Sequence, residues 1–445
     1  MFHDFKFTRK WWTGWSVFFI LSILFLPASA LAEAPIKVGI IGPMKFIYGQ
    51  QTWWGASIAA EEINAAGGVK VKGAARQIEL VQSDDNCLQS VVDAASAMER
   101  LITVDKVDFV IGGVRSEAVI AQQEVMADHK KIYMSSGVGS PEATARVAKN
   151  YDRYKYFFRS GFSGRWTSHL GLINVEMAGR RLKEKLGVEK PRVAVFAEKI
   201  LVWEPLIKAV PGILEKMGME YAGVWQPSAM ATDVRAELEA MESADVHIIY
   251  QMFSGPVGIA ASRQWGELKI PAVPCGVNVE AGRWKHWADT DGLCEYQMFG
   301  SPYPPVAVTE KTLPFVNKFF ERYKDMPMWV AQSYDALYLL KEAIERVDTL
   351  DSDKVVEGLE KTDYVGAQGR MVFTPVDDPN PHEFLWRPDY LTWAAAQWQD
   401  GKWTVVWPDG NAAMGDKRFI GIKYPGTGEY QIPPWVVEYW QKKSK

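Results

Sequence analysis

The chain has 445 residues, 48% hydrophobic and 23% charged, with a formal net charge of −4. This balance excludes a disordered chain and gives no electrostatic reason to expect nucleic acid as a partner. The length exceeds one compact domain, so at least two lobes are expected, and three cysteines are too few for a disulfide framework.

Residues 1–32 read as a secretory signal, with Lys6, Arg9 and Lys10 ahead of an apolar run from Trp11 to Leu26. Ala30-Leu31-Ala32 supplies the small residues that a signal peptidase accepts, so cleavage is expected before Glu33. The alternative is an uncleaved membrane anchor, because the apolar run is about as long as a short transmembrane helix. Cleavage would deliver a soluble protein to an oxidising compartment, where cysteines pair. Cys275 and Cys294 lie close enough in sequence to close a short loop, and a disulfide between them would contribute about 3 kcal/mol. Cys87 is then left as a small buried residue.

The mature part opens on a buried strand, Ile36–Gly42, stopped by Pro43. A helix is expected over 52–66, capped by Thr52 and ended by Gly67-Gly68. Strands at 77–82, 107–111 and 131–135 follow, alternating with helices near 88–102 and 116–128. The rhythm then restarts, with strands at 192–197, 221–225, 246–250 and 272–274 among helices near 166–186, 203–217, 232–243 and 256–267. Two α/β series mean two parallel sheets flanked by helices, placed at 33–158 and 159–299. A proline-rich crossing strand is expected at 301–305, then helices at 309–325 and 329–347. The end of the chain is aromatic and turn-rich, and Asp400-Gly401 between two strand-like runs signals a hairpin.

Enzyme motifs are missing: no G-x-S-x-G elbow, H-E-x-x-H helix or C-x-x-C pair is present, and the histidines share no metal-ligand spacing. Gly39, Gly42 and Gly49 lack the pattern of a nucleotide loop. No catalytic residue, metal or cofactor is therefore expected. What remains are loops at the carboxyl ends of strands, where open α/β sheets bind ligands. The loop from Pro43 to Gln51 carries Tyr48, and a second at 112–116 carries Arg115 and Ser116 beside a helix N-terminus suited to a carboxylate. Ser116 could equally cap its helix. A third loop, 135–141, contains Gly137 and Gly139 and is rich in N–H donors.

These residues resemble a known family. The opening strand, the glycine and tyrosine loop, Glu61-Glu62-Ile63-Asn64 with Gly67-Gly68, Ser83-Asp84-Asp85, Val110-Ile111-Gly112-Gly113 and Ser140-Pro141-Glu142 are similar to periplasmic branched-chain amino-acid binding proteins of ABC importers. The resemblance covers the mature chain to about residue 375 and implies the type I periplasmic binding protein fold: two Rossmann-like lobes, three crossovers, and a ligand clamped in the cleft. Together with the α/β rhythm, this divides the chain into 33–158 with 300–368 and 159–299 with 369–400, and the aromatic composition beyond the resemblance adds an extension, 401–445, expected to pack on the lobes.

Position by position, the family's carboxylate-binding serine falls on Ser116 and its first-loop tyrosine on Tyr48. The fourth-loop positions hold Gly137 and Gly139, so a threonine hydroxyl is lost, and the second-lobe aromatic matches Phe253. The acidic residue that meets an ammonium falls near 276–278, with Glu280 a little beyond, and has no clear match. Arg115, Arg165, Trp166 and Trp203 add arginine and aromatic surface that suits a carboxylate on an apolar body. The expectation is a monomeric periplasmic protein that closes on an amino acid or related small carboxylate and delivers it to an inner-membrane ABC permease. An aromatic or other apolar carboxylate, or a soluble sensing partner of a membrane receptor, is the alternative. Of the tryptophans, Trp53, Trp54, Trp166 and Trp203 lie near predicted cleft loops, whereas Trp386 to Trp440 belong to packing.

Overall fold

A computed structural model describes residues 33–161, 163–200 and 203–445. The expected signal segment lies outside the described residues. Short apolar runs separated by amphipathic stretches can bury both faces only inside a layered α/β structure, and that is how they fold.

The first sheet holds five parallel strands: β1 (Ile36–Gly42), β2 (Ile78–Asp84), β3 (Phe109–Gly112), β4 (Tyr133–Ser135) and β5 (Phe157–Arg159), in the order β2-β1-β3-β4-β5. β1 pairs with β2 from Ile36 opposite Ile78 to Gly42 opposite Asp84, and with β3 on its other edge. The second sheet holds β6 (Arg192–Ala197), β7 (Glu220–Trp225), β8 (Ile248–Phe253) and β9 (Val273–Asn278), in the order β9-β8-β6-β7. Both series therefore step outward from their first strand in opposite directions. Each has a switch point, between β1 and β3 in one and between β6 and β8 in the other, and open α/β sheets bind ligands there.

The helix after β1, α1 (Ile47–Ala65), starts five residues earlier than the cap at Thr52 implied. Thr52 is fully buried, and its hydroxyl donates to the Tyr48 carbonyl at 2.9 Å instead of capping. The early start is possible because Gly49 lies against the Pro43 backbone; a Cβ there would come within 2.4 Å of it. Tyr48 is thereby moved from a loop onto the first turn of α1.

A third sheet joins β10 (Met298–Ser301) to a hairpin of β11 (Ala394–Gln399) and β12 (Lys402–Trp407). The hairpin turns at Asp400-Gly401, both with positive φ (51° and 71°), the geometry that matches strand twist in a two-residue turn. Trp398 on β11 is fully buried and donates its indole N–H to the Ala281 carbonyl at 2.9 Å. The terminal helix Pro434–Lys443 is fastened in the same way, Trp435 donating to Ile270 O at 3.1 Å and Trp440 to Pro271 O at 2.6 Å. Among the described residues, no helix is long and apolar enough to cross a membrane.

The disulfide expected between Cys275 and Cys294 is not formed: all three cysteines are free and buried. Cys275 belongs to β9, opposite Tyr250 of β8, whereas Cys294 lies beyond a short helix, in hydrogen-bond contact with Thr290. Burial pushes both thiols up, that of Cys294 to about 12.

Candidate functional site

The loops at the two switch points enclose a cavity of about 410 Å3. Of the residues singled out in the sequence, Tyr48, Arg115, Ser116, Gly137, Gly139 and Trp203 line it.

The first wall is mostly backbone. Gly112 and Gly113, at φ 128° and 77°, turn the chain out of β3 into α3 (Ser116–His129), which packs on α2 (Val91–Thr103). The side chain of Arg115, at the N-cap, makes no capping bond. Ser116 does not cap either: its hydroxyl accepts from the Ser140 N–H at 3.2 Å, tying the third and fourth loops together. The N–H groups of Gly137 and Gly139, in the loop after β4, find no acceptor among the described residues. Behind them a buried chain fixes α3, with Tyr133 donating to Gln122 at 2.7 Å and Gln122 to Asp85 at 3.1 Å. Free N–H donors, one hydroxyl and the positive end of α3 thus converge where an anion would be stabilised. Arg115 is exposed at the rim, its Nε on Glu117 Oε2 at 3.1 Å and its Nη1 on the Leu88 carbonyl at 3.0 Å.

The second wall is made of side chains bonded to one another. Glu198, immediately after β6, is fully buried. Its carboxylate accepts from Trp203 Nε1 at 3.2 Å, Ser254 N at 2.8 Å, Gly255 N at 2.9 Å and the Ser254 hydroxyl. It thereby joins the loops on either side of the second switch point. Glu280, in a short helical turn after β9, accepts from Arg283 Nη1 on Oε2 at 2.7 Å and from the Tyr48 hydroxyl on Oε1 at 3.2 Å. Tyr48 also meets the Ser254 carbonyl at 3.3 Å, so a residue of α1 spans the cleft to both second-series loops. Burial, then the Glu280 charge, holds the Tyr48 phenol well above its ordinary value, so it stays a donor. Burial works against the Arg283 charge, but Glu280, together with Asp325 and Asp289, more than offsets it, and its pKa is raised.

Five residues singled out in the sequence, Trp53, Trp54, Arg165, Trp166 and Phe253, are not brought into the cavity. Phe253 is fully buried, its ring edge-on to Phe196 at 4.9 Å. Gly164, which begins α4 (Gly164–Leu186), does line the cavity, but Arg165 lies over the ring of Trp166, and Trp166 stacks on Trp386 at 5.2 Å in a separate small void. Trp54 likewise packs, stacked on Tyr323 at 4.3 Å.

Glu198, Ser254 and Trp329 were missed. The first two follow β6 and β8, so the rule that led to Ser116 could have found them. Trp329, whose ring is 5.4 Å from that of Tyr48, comes from the turn 329–332 between two helices and carries no such signal. With Val277 and Val279 it also lines a second cavity of about 50 Å3.

The profile of the family described as periplasmic binding protein matches residues 35–406. An amino acid binding protein of Pseudomonas aeruginosa is 30% identical over 227 residues, 49% of this chain and 54% of that protein, so the chain spans about half the length of that relative. Among solved structures, a branched-chain amino acid transporter substrate binding protein from Streptococcus pneumoniae in complex with isoleucine superimposes with a TM-score of 0.65 at 22% identity, covering 84% of this chain and 99% of that one. A solute binding protein from R. palustris in complex with benzoate gives a TM-score of 0.64 at 18% identity, covering 83% and 95%.

Proposed function

The chain belongs to the periplasmic binding protein family, and on that premise we propose that it is the solute-binding component of an ABC importer, capturing an amino acid or related small carboxylate by closure of its two lobes. One observation carries the reading: a single cavity at both switch points gathers Ser116, Gly137 and Gly139 at the uncapped start of α3, with Trp203 and Ser254 facing them. The ligand carboxylate takes the N–H donors of the first wall and the Ser116 hydroxyl, where aligned peptide dipoles replace its lost hydration.

Binding is a population shift. A ligand that touches both walls favours the closed arrangement by the contacts it makes only there, and no bond is made or broken. The protein acts as a monomer outside the cytoplasm and hands its cargo to the permease in the inner membrane. The test is a thermal-shift panel on the mature chain, because a ligand that binds only the folded state stabilises it by mass action. Small carboxylates raise the melting temperature and their primary amides do not; equal shifts from acid and amide would overturn the reading.

A further inference from the structure

The two walls differ in how much hydrogen-bonding capacity they leave for a guest. An α-amino acid needs an anion site and a counter-charge for its ammonium, since an ammonium buried without one is costly. Among the described residues, Glu117 is the one carboxylate in the lining, and Glu198 and Glu280 are bonded to the lining residues Trp203, Ser254 and Tyr48; each is already engaged within the chain. Glu117 lines the mouth, but it is exposed and its Oε2 is held by Arg115 at 3.1 Å. Glu198 is fully buried and occupied by the Trp203, Ser254 and Gly255 donors. Glu280 has Tyr48 on one oxygen and the guanidinium of Arg283 on the other, so an internal cation already sits where an ammonium would be received. Asn278, in the stretch 276–278 near which the family resemblance puts an acidic residue without a clear match, is neutral and committed to the Gly258 carbonyl at 3.1 Å and the Ser262 hydroxyl at 3.2 Å. The rest of the lining is largely apolar, including Val114, Ile200, Trp203, Val277, Val279 and Trp329.

We propose that the ligand of this cleft is a small acid with no α-ammonium group, an apolar or aromatic monocarboxylate whose body lies against the Val277, Val279 and Trp329 side of the cavity. The inference rests on the carboxylate reading above and narrows it. Arg283 is then a specificity determinant that acts without touching ligand: by holding Glu280, it withholds the counter-charge that an amino acid would need.

The test is calorimetric titration of the mature protein with two matched pairs, leucine against 4-methylpentanoate and phenylalanine against 3-phenylpropanoate. The deaminated acid of each pair binds tighter by about tenfold or more, the effect expected of an unpaired buried ammonium. Equal or tighter binding of the amino acids overturns this inference alone and leaves the carboxylate reading intact. No binding by any of the four overturns both. In Arg283→Met, which frees Glu280, the gap between the members of each pair narrows; an unchanged gap contradicts the role given to Arg283, and the wild-type comparison stands whether or not the variant folds.

Discussion

On the wall of the cleft built from the first strand series, the lining includes Gly137 and Gly139, whose N–H groups find no acceptor among the described residues, and Ser116 at the start of α3. On the opposite wall, Glu198 and Glu280 are closed into bonds with Trp203, Ser254, Gly255, Tyr48 and Arg283. The first wall offers capacity to a guest, and the second spends its own on shape. On the reading proposed above, two halves with the same strand order divide the work of binding: one would supply affinity for an anion, the other rigidity and selection.

Removing a group from the second wall should therefore cost stability, and removing one from the first should cost affinity. Glu198→Ala has the largest expected effect, because it orphans the buried indole N–H of Trp203 and the part-buried N–H groups of Ser254 and Gly255; about 3 kcal/mol of folding stability is lost, measured by denaturant unfolding. A full-stability variant would mean that the second wall is not a rigid frame. Ser116→Ala comes next, with an expected loss of about 2 kcal/mol in carboxylate binding, roughly thirtyfold in Kd, at near-constant melting temperature. A stability loss with unchanged affinity would reverse the contrast between the walls.

Tyr48→Phe cuts the hydrogen bonds that cross from α1 to Ser254 and Glu280, and should weaken binding by about 1 kcal/mol by loosening closure. Calorimetry reads the affinity and small-angle scattering the shift toward an open form. The smallest effect is expected from acid. His247 stacks on Trp440 at 4.0 Å, and its ring Nδ1 accepts from the Arg192 N–H at 3.2 Å, beside Asp245, Glu220 and Lys443. Burial lowers its pKa from 6.5 to about 4, so the neutral ring is the folded form. Its contribution is present above the unfolded value of about 6.5 and is lost as pH falls toward 4, on the order of 1 kcal/mol after solvent screening. Hydrogen exchange at pH 7 and pH 5 should show faster opening of the terminal helix in acid, while α3 keeps its protection. His247→Gln should remove the difference.

Much of the fold could be read from local signals. Alternating apolar runs and amphipathic helices gave two series, and Asp400-Gly401 gave the hairpin, because its two positive φ values favour those residue types. The first wall was legible for the same reason: a strand, a short loop and a helix start are consecutive in sequence. The second was not, since Glu198 meets Ser254, and Glu280 meets Tyr48, only through strand order and lobe contact between residues far apart in the chain. Phe253 sits at the carboxyl end of β8 as a ligand residue would, yet it turns into the core against Phe196, a matter of which face of the strand it occupies. The expected disulfide failed likewise: closeness in sequence says nothing about where a strand and a later loop point their thiols.

The most direct test of the division between the walls is a crystal structure of the protein with the tightest-binding small carboxylate from the panel. The ligand carboxylate should lie at the start of α3, within hydrogen-bond distance of Ser116 and the Gly137 and Gly139 N–H groups, with the Glu280 to Arg283 pair intact across the cleft. A carboxylate seated on the second wall, or a ligand that displaces Arg283 from Glu280, would contradict it.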